Sequence, residues 1–345
     1  MLELITDDEF ERVKLNLNVC KVVTDSLGFD WIGRNLLQKI ERDKVHALFW
    51  LFLDRDRCKK LDAWLEILKN NLPQTKFRGL INKIKNRSKE IEFYSLLSEI
   101  EVISYYVNKG YDLVYEPKQG DLKLILDNME IFFEIARLFP SNEERRIDNL
   151  SKLVWSKLNS LDNNMYVIFF EITPAFSETD VESFINFASN VLAQEFEKFP
   201  VKFDYNSGKA SIVVSSKSED GKGYVAGNFV GVIEIHTSSR LKNKILEEAL
   251  QLPQNKPNII VYNLTHYFAS FSDIEDAFYG QLAVKIYRET MKVEPFRINN
   301  GVIHQKEGER ISAVIAYKDF DYENRRKYSN PIAKYPLSQE IIAKI

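Results

Sequence analysis

The chain has 345 residues, of which 45% are hydrophobic and 28% are charged, a composition that excludes a disordered or fibrous protein. The length fits two structural units, or one core with a helical extension. The net charge of -3 provides no overall basic field, so contact with nucleic acid would require a local basic patch.

Residues 1–90 predict a helical module. Apolar residues recur at three- and four-residue spacing in WIGRNLLQKIERDKVHALFWLFL and LDAWLEILKNNL, with almost no β-branched runs. The next stretch, KFRGLINKIKNRSKE, is rich in lysine and arginine. It predicts a solvated helix face, and a phosphate-binding patch is the alternative.

Residues 91–345 predict an α/β domain in which helices and strands alternate. In chain order we expect a helix at 91–109, strands at 111–116, 121–127 and 130–138, a helix at 142–160, a strand at 166–172 and a helix at 180–197. Beyond residue 200, KASIVVSS and YVAGNFVGVIEIH predict strands, and the helix LKNKILEEALQL leads into the strand NIIVYNL. Such helix–strand units bury parallel strands that are apolar on both faces.

Targeting and cysteine signals are weak. MLELITDDEF lacks the basic start and apolar run of a signal peptide, and no run reaches the roughly 18 apolar residues of a membrane span. Cys20 and Cys58 lie far apart, without zinc-site spacing, and indicate no disulfide framework. We therefore expect a cytoplasmic protein with no membrane segment, and the oligomeric state stays open.

Two acids interrupt strands that are otherwise suited to burial. Asp121 opens DLKLILD, and Glu134 lies inside IFFEIA. A carboxylate among apolar residues must be hydrogen-bonded, paired or bound to a cation, because an unpaired buried charge is costly. Strand side chains alternate, so Asp121 shares a face with Lys123, and both acids face the same side if the two strands form a hairpin.

The preceding helix supplies a third acid. At about 100° per residue, Glu99 lies inside the wide apolar arc of this helix, whereas Glu101 lies nearer the opposite border. Glu92 falls on the same flank as Glu99 two turns earlier and is the alternative.

The segment SEIEVISYYVNKGYDLVYEPKQGDLKLILDNMEIFFEIA resembles the core of the PD-(D/E)XK, or restriction-endonuclease-like, phosphodiesterases. The resemblance implies a central mixed sheet flanked by helices, with Glu99 as the helix acid, Asp121 as the motif aspartate and Glu134 as the motif glutamate. It also implies a Mg²⁺ ion held by these three acids, since hard oxygen ligands suit Mg²⁺, and nucleic acid as the partner.

The motif lysine is missing, because Ala136 occupies its position. Members of this superfamily use that lysine to orient or activate the attacking water. The candidate substitutes are Lys123, on the Asp121 face, and Lys152 or Lys157 in the following helix. The alternative for Glu134 is a purely structural role, as a buried salt bridge to Lys123 or Arg145.

Two functions follow as expectations. One is a Mg²⁺-dependent nuclease, or a catalytically weakened descendant, that uses Glu99, Asp121, Glu134 and Lys123. The other is a non-catalytic nuclease-like fold that binds protein or nucleic acid. Ala136 argues against hydrolysis, whereas retention of all three acids argues against complete loss of the site.

Overall fold

A computed structural model gives the fold of the chain. It describes residues 5–38, 44–140, 142–161, 165–218, 223–229, 237–264, 269–287, 292–318 and 320–345. The chain divides into two compact units, Met1–Phe139 with His236–Ile345 as the first and Pro140–Ile235 as the second. This division differs from the boundary expected at residue 90, since the N-terminal helices belong to the same unit as the strands that follow them.

The first unit begins with helices, as the apolar spacing predicts. Side-chain caps fix two of their starts: Thr6 and Glu9 form a capping box before the first helix, and Asp54 accepts the N–H groups of Asp56 and Arg57 at the fifth. The helices are α1 (Asp7–Val19), α2 (Lys21–Leu27), α3 (Phe29–Asn35), α4 (Leu48–Phe52), α5 (Arg55–Asn71), α6 (Gln74–Asn86) and α7 (Glu90–Asn108).

A three-stranded meander follows α7. Its strands are β1 (Asp112–Tyr115), β2 (Leu122–Leu126) and β3 (Met129–Arg137). Helix α7 and these three strands agree with the predicted elements to within one residue at each end. Neighbouring strands pair antiparallel, and Leu122 lies opposite Phe133.

The second unit comes next and has its own sheet. Its elements are α8 (Asn142–Asn159), β4 (Tyr166–Ile172), α9 (Val181–Leu192), β5 (Val201–Tyr205), β6 (Ala210–Lys217) and β7 (Tyr224–Phe229). The strand order is β5-β6-β4-β7. The predicted helix at 142–160 and strand at 166–172 therefore exist, but β4 pairs with β6 and β7 instead of extending the sheet that contains β3. Residues 230–236 of the predicted strand YVAGNFVGVIEIH lie outside the described residues.

The chain then returns to the first unit. The remaining elements are α10 (Thr237–Ala249), β8 (Asn258–Asn263), α11 (Phe271–Tyr279), β9 (Leu282–Tyr287), β10 (Lys292–Arg297), β11 (Ala313–Tyr317), β12 (Arg326–Ser329) and α12 (Gln339–Lys344). Six described strands form one sheet in the order β1-β2-β3-β8-β11-β12, and β9 with β10 forms a separate ribbon. Because β8 is parallel to both β3 and β11 while the other pairs are antiparallel, the sheet is mixed, as predicted.

Each face of this sheet has its own core. Ile131, Phe133 and Ile135 point from β3 into the core that the N-terminal helices and α7 complete. The alternate residue Ala136 joins the core built by α10 and α11, with Leu241 among its members. Since Glu134 shares the face of Ala136, its side chain lies on the α10 side of the sheet.

Two further expectations concern the cysteines and membrane segments. Cys20 and Cys58 form a disulfide, although their spacing in the sequence indicated no disulfide framework. Sequence separation gave no sign of the pairing, which arises because α2 packs against α5. Among the described helices, none combines the length and the hydrophobicity that a bilayer crossing requires.

Gly120 fixes the turn that leads into Asp121. Its φ is +75°, and a Cβ atom there would lie 2.8 Å from the Phe133 carbonyl oxygen and 3.2 Å from Leu252 Cδ2. Gly110 has the same φ of +75°, but a Cβ atom there would have no neighbour within 4 Å. A side chain at Gly110 would therefore cause backbone strain alone, whereas a side chain at Gly120 would cause the same strain and a steric clash.

We expect Gly110→Ala to lower the free energy of unfolding by about 1 kcal/mol, the cost of a left-handed residue with a side chain. Gly120→Ala should cost about 1–3 kcal/mol more, because the Phe133 carbonyl is backbone and cannot rotate away. Urea unfolding of both variants measures the difference. Equal losses of unfolding free energy in the two variants would show that a Cβ atom at residue 120 does not clash with the Phe133 carbonyl.

Candidate functional site

Glu99 lies in the middle of α7 and is buried with two basic neighbours. Its Oε1 is 3.3 Å from Arg87 Nη1, and its Oε2 is 4.0 Å from Lys83 Nζ. Burial and the nearby Asp121 carboxylate raise the pKa of Glu99 to about 7, although both basic groups act in the opposite direction. The helix acid is therefore partly neutralised by α6 and the residue that follows it.

Asp121 immediately precedes β2, one position beyond the pairing of Leu122 with Phe133. Continuing that register places Asp121 opposite Glu134, on the same face of the hairpin. The backbone N–H of Ile135 donates a 2.8 Å hydrogen bond to Asp121 Oδ2, which anchors the carboxylate to β3. Burial, followed by the charge of Glu248, raises the pKa of Asp121 despite this hydrogen bond.

Glu134 is the most strongly perturbed of the three predicted acids. Its side chain is buried, and within the described part of the chain it makes no ion pair, so the salt-bridge alternative with Lys123 is not what the structure contains. Burial raises the pKa of Glu134 to about 9, with further contributions from Asp121, Glu248 and Glu99. The carboxyl group therefore lacks enough nearby positive charge to stay ionised at neutral pH.

A fourth acid, Glu248 on α10, was missed by the sequence analysis. It is 5% exposed, its Oε1 is 2.7 Å from Lys244 Nζ, and Gln251 Nε2 donates to its Oε2. The sequence did carry a signal: Leu241, Ile245 and Ala249 form the buried stripe of this helix, and Glu248 lies within it. An acid on an apolar stripe is the same anomaly that identified Glu99.

The candidate lysines make other contacts. Lys123 Nζ is 2.8 Å from Glu130 Oε1, and Lys256 lies 2.9 Å from the other oxygen of the same carboxylate. Lys152 and Lys157 belong to the second unit, where they pair with Asp148 and Glu182. Lys244 is different, because its charge lowers the pKa of Glu134 and its amine contacts Glu248.

The basic stretch before α7 also makes specific contacts. Lys83 and Arg87 contact Glu99, and Lys76 and Lys83 pair with Glu116. These pairings place part of the positive charge of the stretch beside the acids, while Arg78 and Lys89 are exposed, as expected of a solvated helix face.

The structure thus brings Glu99, Asp121 and Glu134 within electrostatic range of one another and adds Glu248. Electrostatic interaction among these acids does not by itself mean that they coordinate a metal ion. Within the described residues, no group of three or more acidic, histidine or cysteine side chains is arranged to hold a metal ion. The Mg²⁺ site therefore stays a prediction.

Comparisons of the chain with protein-family models, with curated proteins and with solved structures gave no match.

The acid cluster predicts a dependence of stability on pH in the presence of a chelator. Glu134 has a pKa of about 9 in the folded protein against an ordinary value of 4.5, so wild-type stability falls as the pH rises from about 4.5 towards 9. Glu134→Gln removes this ionisation. We expect the variant to exceed wild type at pH 8 by on the order of 2 kcal/mol in free energy of unfolding, with a smaller difference near pH 4.5.

Urea unfolding at a series of pH values measures this effect. Glu92→Gln is the matched control, because Glu92 is exposed on the same α7 that carries Glu99. Its profile should follow wild type. Parallel profiles for wild type and Glu134→Gln would show that folding does not raise the pKa of Glu134.

Proposed function

We propose that the first unit is a Mg²⁺-dependent nuclease of the restriction-endonuclease-like type, or a catalytically weakened descendant. The observation that carries the proposal is the electrostatic repulsion among acids that approach from separate elements. Burial and neighbouring carboxylates raise the pKa values of Glu99, Asp121 and Glu134, and Glu248 on α10 contributes to the rise at Asp121 and Glu134. Perturbed acids that converge from separate elements are typical of functional sites.

The element order supports the same proposal. Helix α7, the meander β1-β2-β3, helix α10 and strand β8 follow the order helix, strand, acid strand, acid strand, helix, strand on which the resemblance rests. The second unit is inserted between β3 and α10. The helix that completes the core in this proposal is therefore α10, in place of the helix expected at 142–160.

The donor set fits a hard divalent cation. Carboxylate oxygens are the ligands that Mg²⁺ prefers, and a nearby positive charge would favour the ionised forms of Glu134 and Asp121. Asp121 and Glu134 would hold the ion, with Glu99 or Glu248 as the third acid. Bound Mg²⁺ supplies a lowered pKa for a coordinated water and stabilises negative charge on a phosphodiester.

Lys244 is the amine that this proposal assigns in place of the missing motif lysine. It contacts Glu248 and acts electrostatically on Glu134, whereas Lys123 is held by Glu130. Lys244 also lines a cavity of about 340 Å³ together with Arg137 and Arg240 at the end of β3. These three cationic side chains share the cavity with one acidic residue, Glu247, and together they suit the phosphate groups of a nucleic acid.

A non-catalytic nuclease-like binding protein is the second candidate function. Ala136 removes the usual lysine, and Arg87 with Lys83 already supplies positive charge to Glu99. In such a protein these cations replace the metal ion, and the cationic cavity at Arg240 binds nucleic acid without cutting it.

A cytoplasmic location is also part of the proposal, and it rests on the sequence alone. The Cys20–Cys58 disulfide is an observation against it, because disulfides are rare in reducing compartments.

The nuclease proposal predicts cutting of DNA or RNA with Mg²⁺ or Mn²⁺ that stops on addition of chelator. Asp121→Asn and Glu134→Gln should each reduce the cutting rate by about 100-fold or more, the usual cost of losing a group that acts in charge stabilisation or proton transfer. Gel assays on single- and double-stranded substrates measure the rate.

Glu92→Gln serves as the control again and should cut at the wild-type rate. Full activity in both Asp121→Asn and Glu134→Gln would exclude this site as the source of the cutting. Binding of nucleic acid by wild type without cutting in any divalent metal would favour the non-catalytic function.

The assignment of the amine predicts different effects at two lysines. Lys244→Met should reduce the cutting rate by about 100-fold and change the pH profile of kcat/KM, because a group poised near the reacting water is lost. Lys123→Met should change the rate by less than about threefold, since its partner Glu130 still has Lys256. The reverse order of effects would assign the role to Lys123.

A further inference from the structure

Helix α10 carries a row of charged side chains that ends at the acid cluster. Arg240, Lys244 and Glu248 are four residues apart, so they follow one stripe of the helix at intervals of about 6 Å. Glu248 is buried within electrostatic range of Asp121 and Glu134. Lys244 Nζ is 2.7 Å from Glu248 Oε1, and Arg240 lies one further turn towards the start of the helix. The row therefore leads from two cations to the candidate metal-binding acids.

Arg240 and Lys244 are accessible from the cavity of about 340 Å³ at the end of β3. Both are half-buried, whereas Asn243 and Glu247, the other α10 residues in the lining, are exposed. The backbone carbonyl of Phe139 accepts a 2.8 Å hydrogen bond from Arg240 Nη2, which fixes this side chain at the cavity. The cations of the row are thus held in place before a ligand binds and stay within its reach.

The rest of the lining suits a nucleotide. Leu138 and Phe139 give the cavity an apolar wall for a base. Arg137 completes the lining, with its guanidinium carbon 4.6 Å from the centre of the Tyr94 ring. Small-molecule sites begin at about 300 Å³, so the volume admits one nucleotide and is too small for a base pair. An unpaired base can therefore enter this cavity, whereas a duplex cannot.

The cations on the opposite face of the sheet are already engaged by acids. Lys83 contacts Glu99 and Glu116, and Arg87 contacts Glu99. A duplex presents two phosphate backbones on either side of a groove and would need cations for both of them. The row of cations on α10 provides for one backbone.

We infer that this site takes single-stranded nucleic acid whose backbone runs along α10, with successive phosphates at the acid cluster, at Lys244 and at Arg240. The base next to the phosphate at the acids enters the cavity against Leu138 and Phe139. Intervals of about 6 Å along the helix are close to the spacing of phosphates in an extended strand. The inference rests on the proposed nuclease function for cleavage of the strand, whereas binding of the strand does not require it.

Fluorescence anisotropy in the presence of a chelator measures binding without cutting. The probes are a short labelled oligothymidylate and the duplex that it forms with its complementary oligodeoxyadenylate, each titrated with the full chain. The single strand should bind at least about tenfold more tightly, because only an unpaired base fits the cavity. Equal or tighter binding of the duplex would overturn the inference. So would the absence of single-strand binding up to about 100 μM, the weak end of non-specific affinity.

Two variants of the cavity should have opposite effects. Arg240→Gln should weaken oligothymidylate binding by about fivefold or more. It should also make the slope of log affinity against log salt shallower by about 0.7, the contribution of one phosphate contact on a single strand, and a merely structural role would leave that slope unchanged. Glu247→Gln removes the acidic residue of the lining and should raise the affinity by about two- to threefold.

Arg34→Gln is the matched control, because it removes the same charge from an exposed arginine on α3 that does not line the cavity. It should bind oligothymidylate as wild type does. Equal losses of affinity in Arg34→Gln and Arg240→Gln would contradict the inference, as would wild-type affinity in both Arg240→Gln and Glu247→Gln.

The same probes separate this inference from the nuclease proposal. Binding of the single strand that depends on Arg240, without cutting in any divalent metal, would support the inference and contradict the nuclease proposal. Cutting of the duplex alone would do the reverse.

Discussion

The parallel pairing of β3 with β8 is the contact on which the candidate site depends. Parallel neighbours cannot be joined by a tight turn, so the chain must leave the sheet and return. Here it leaves after β3, builds the second unit, and returns through α10 before it enters β8. That return places α10 over the face that contains Glu134, and with it come Glu248 and Lys244.

The chemistry of the site follows from an imbalance of charge. Glu134 and Glu248 face one core, Asp121 is anchored at the edge of β2, and Glu99 approaches from α7. Part of this negative charge is neutralised by Lys244, Lys83 and Arg87. Burial nevertheless keeps the pKa of Glu134 far above its ordinary value. A proton on Glu134 completes the balance below a pH of about 9, and under the nuclease proposal a bound cation would take its place.

Helix α7 carries two buried carboxyl groups on different flanks. Glu99 lies near Asp121, whereas Glu101 accepts a hydrogen bond from the backbone N–H of Tyr322. Sequence spacing placed Glu99 inside the apolar arc and Glu101 near its border, and both proved to be buried. The N-terminal helices and the segment after β11 bury the flank of α7 that carries Glu101. The local sequence pattern does not predict this burial.

Local pattern was sufficient for α7, the meander and the three acids on them, because apolar periodicity and a charge in a buried strand are properties of neighbouring residues. Long-range choices were not accessible in this way. The sequences beginning at Lys152 and Lys244 both encode an amphipathic helix followed by an apolar strand, and either could complete the sheet by its pattern. Pairing with β3 selected the second, since strand pairing depends on the packing of the whole unit and not on local periodicity. The tertiary structure decided, for the same reason, that Glu248 and Lys244 lie near Glu134 and that Cys20 pairs with Cys58.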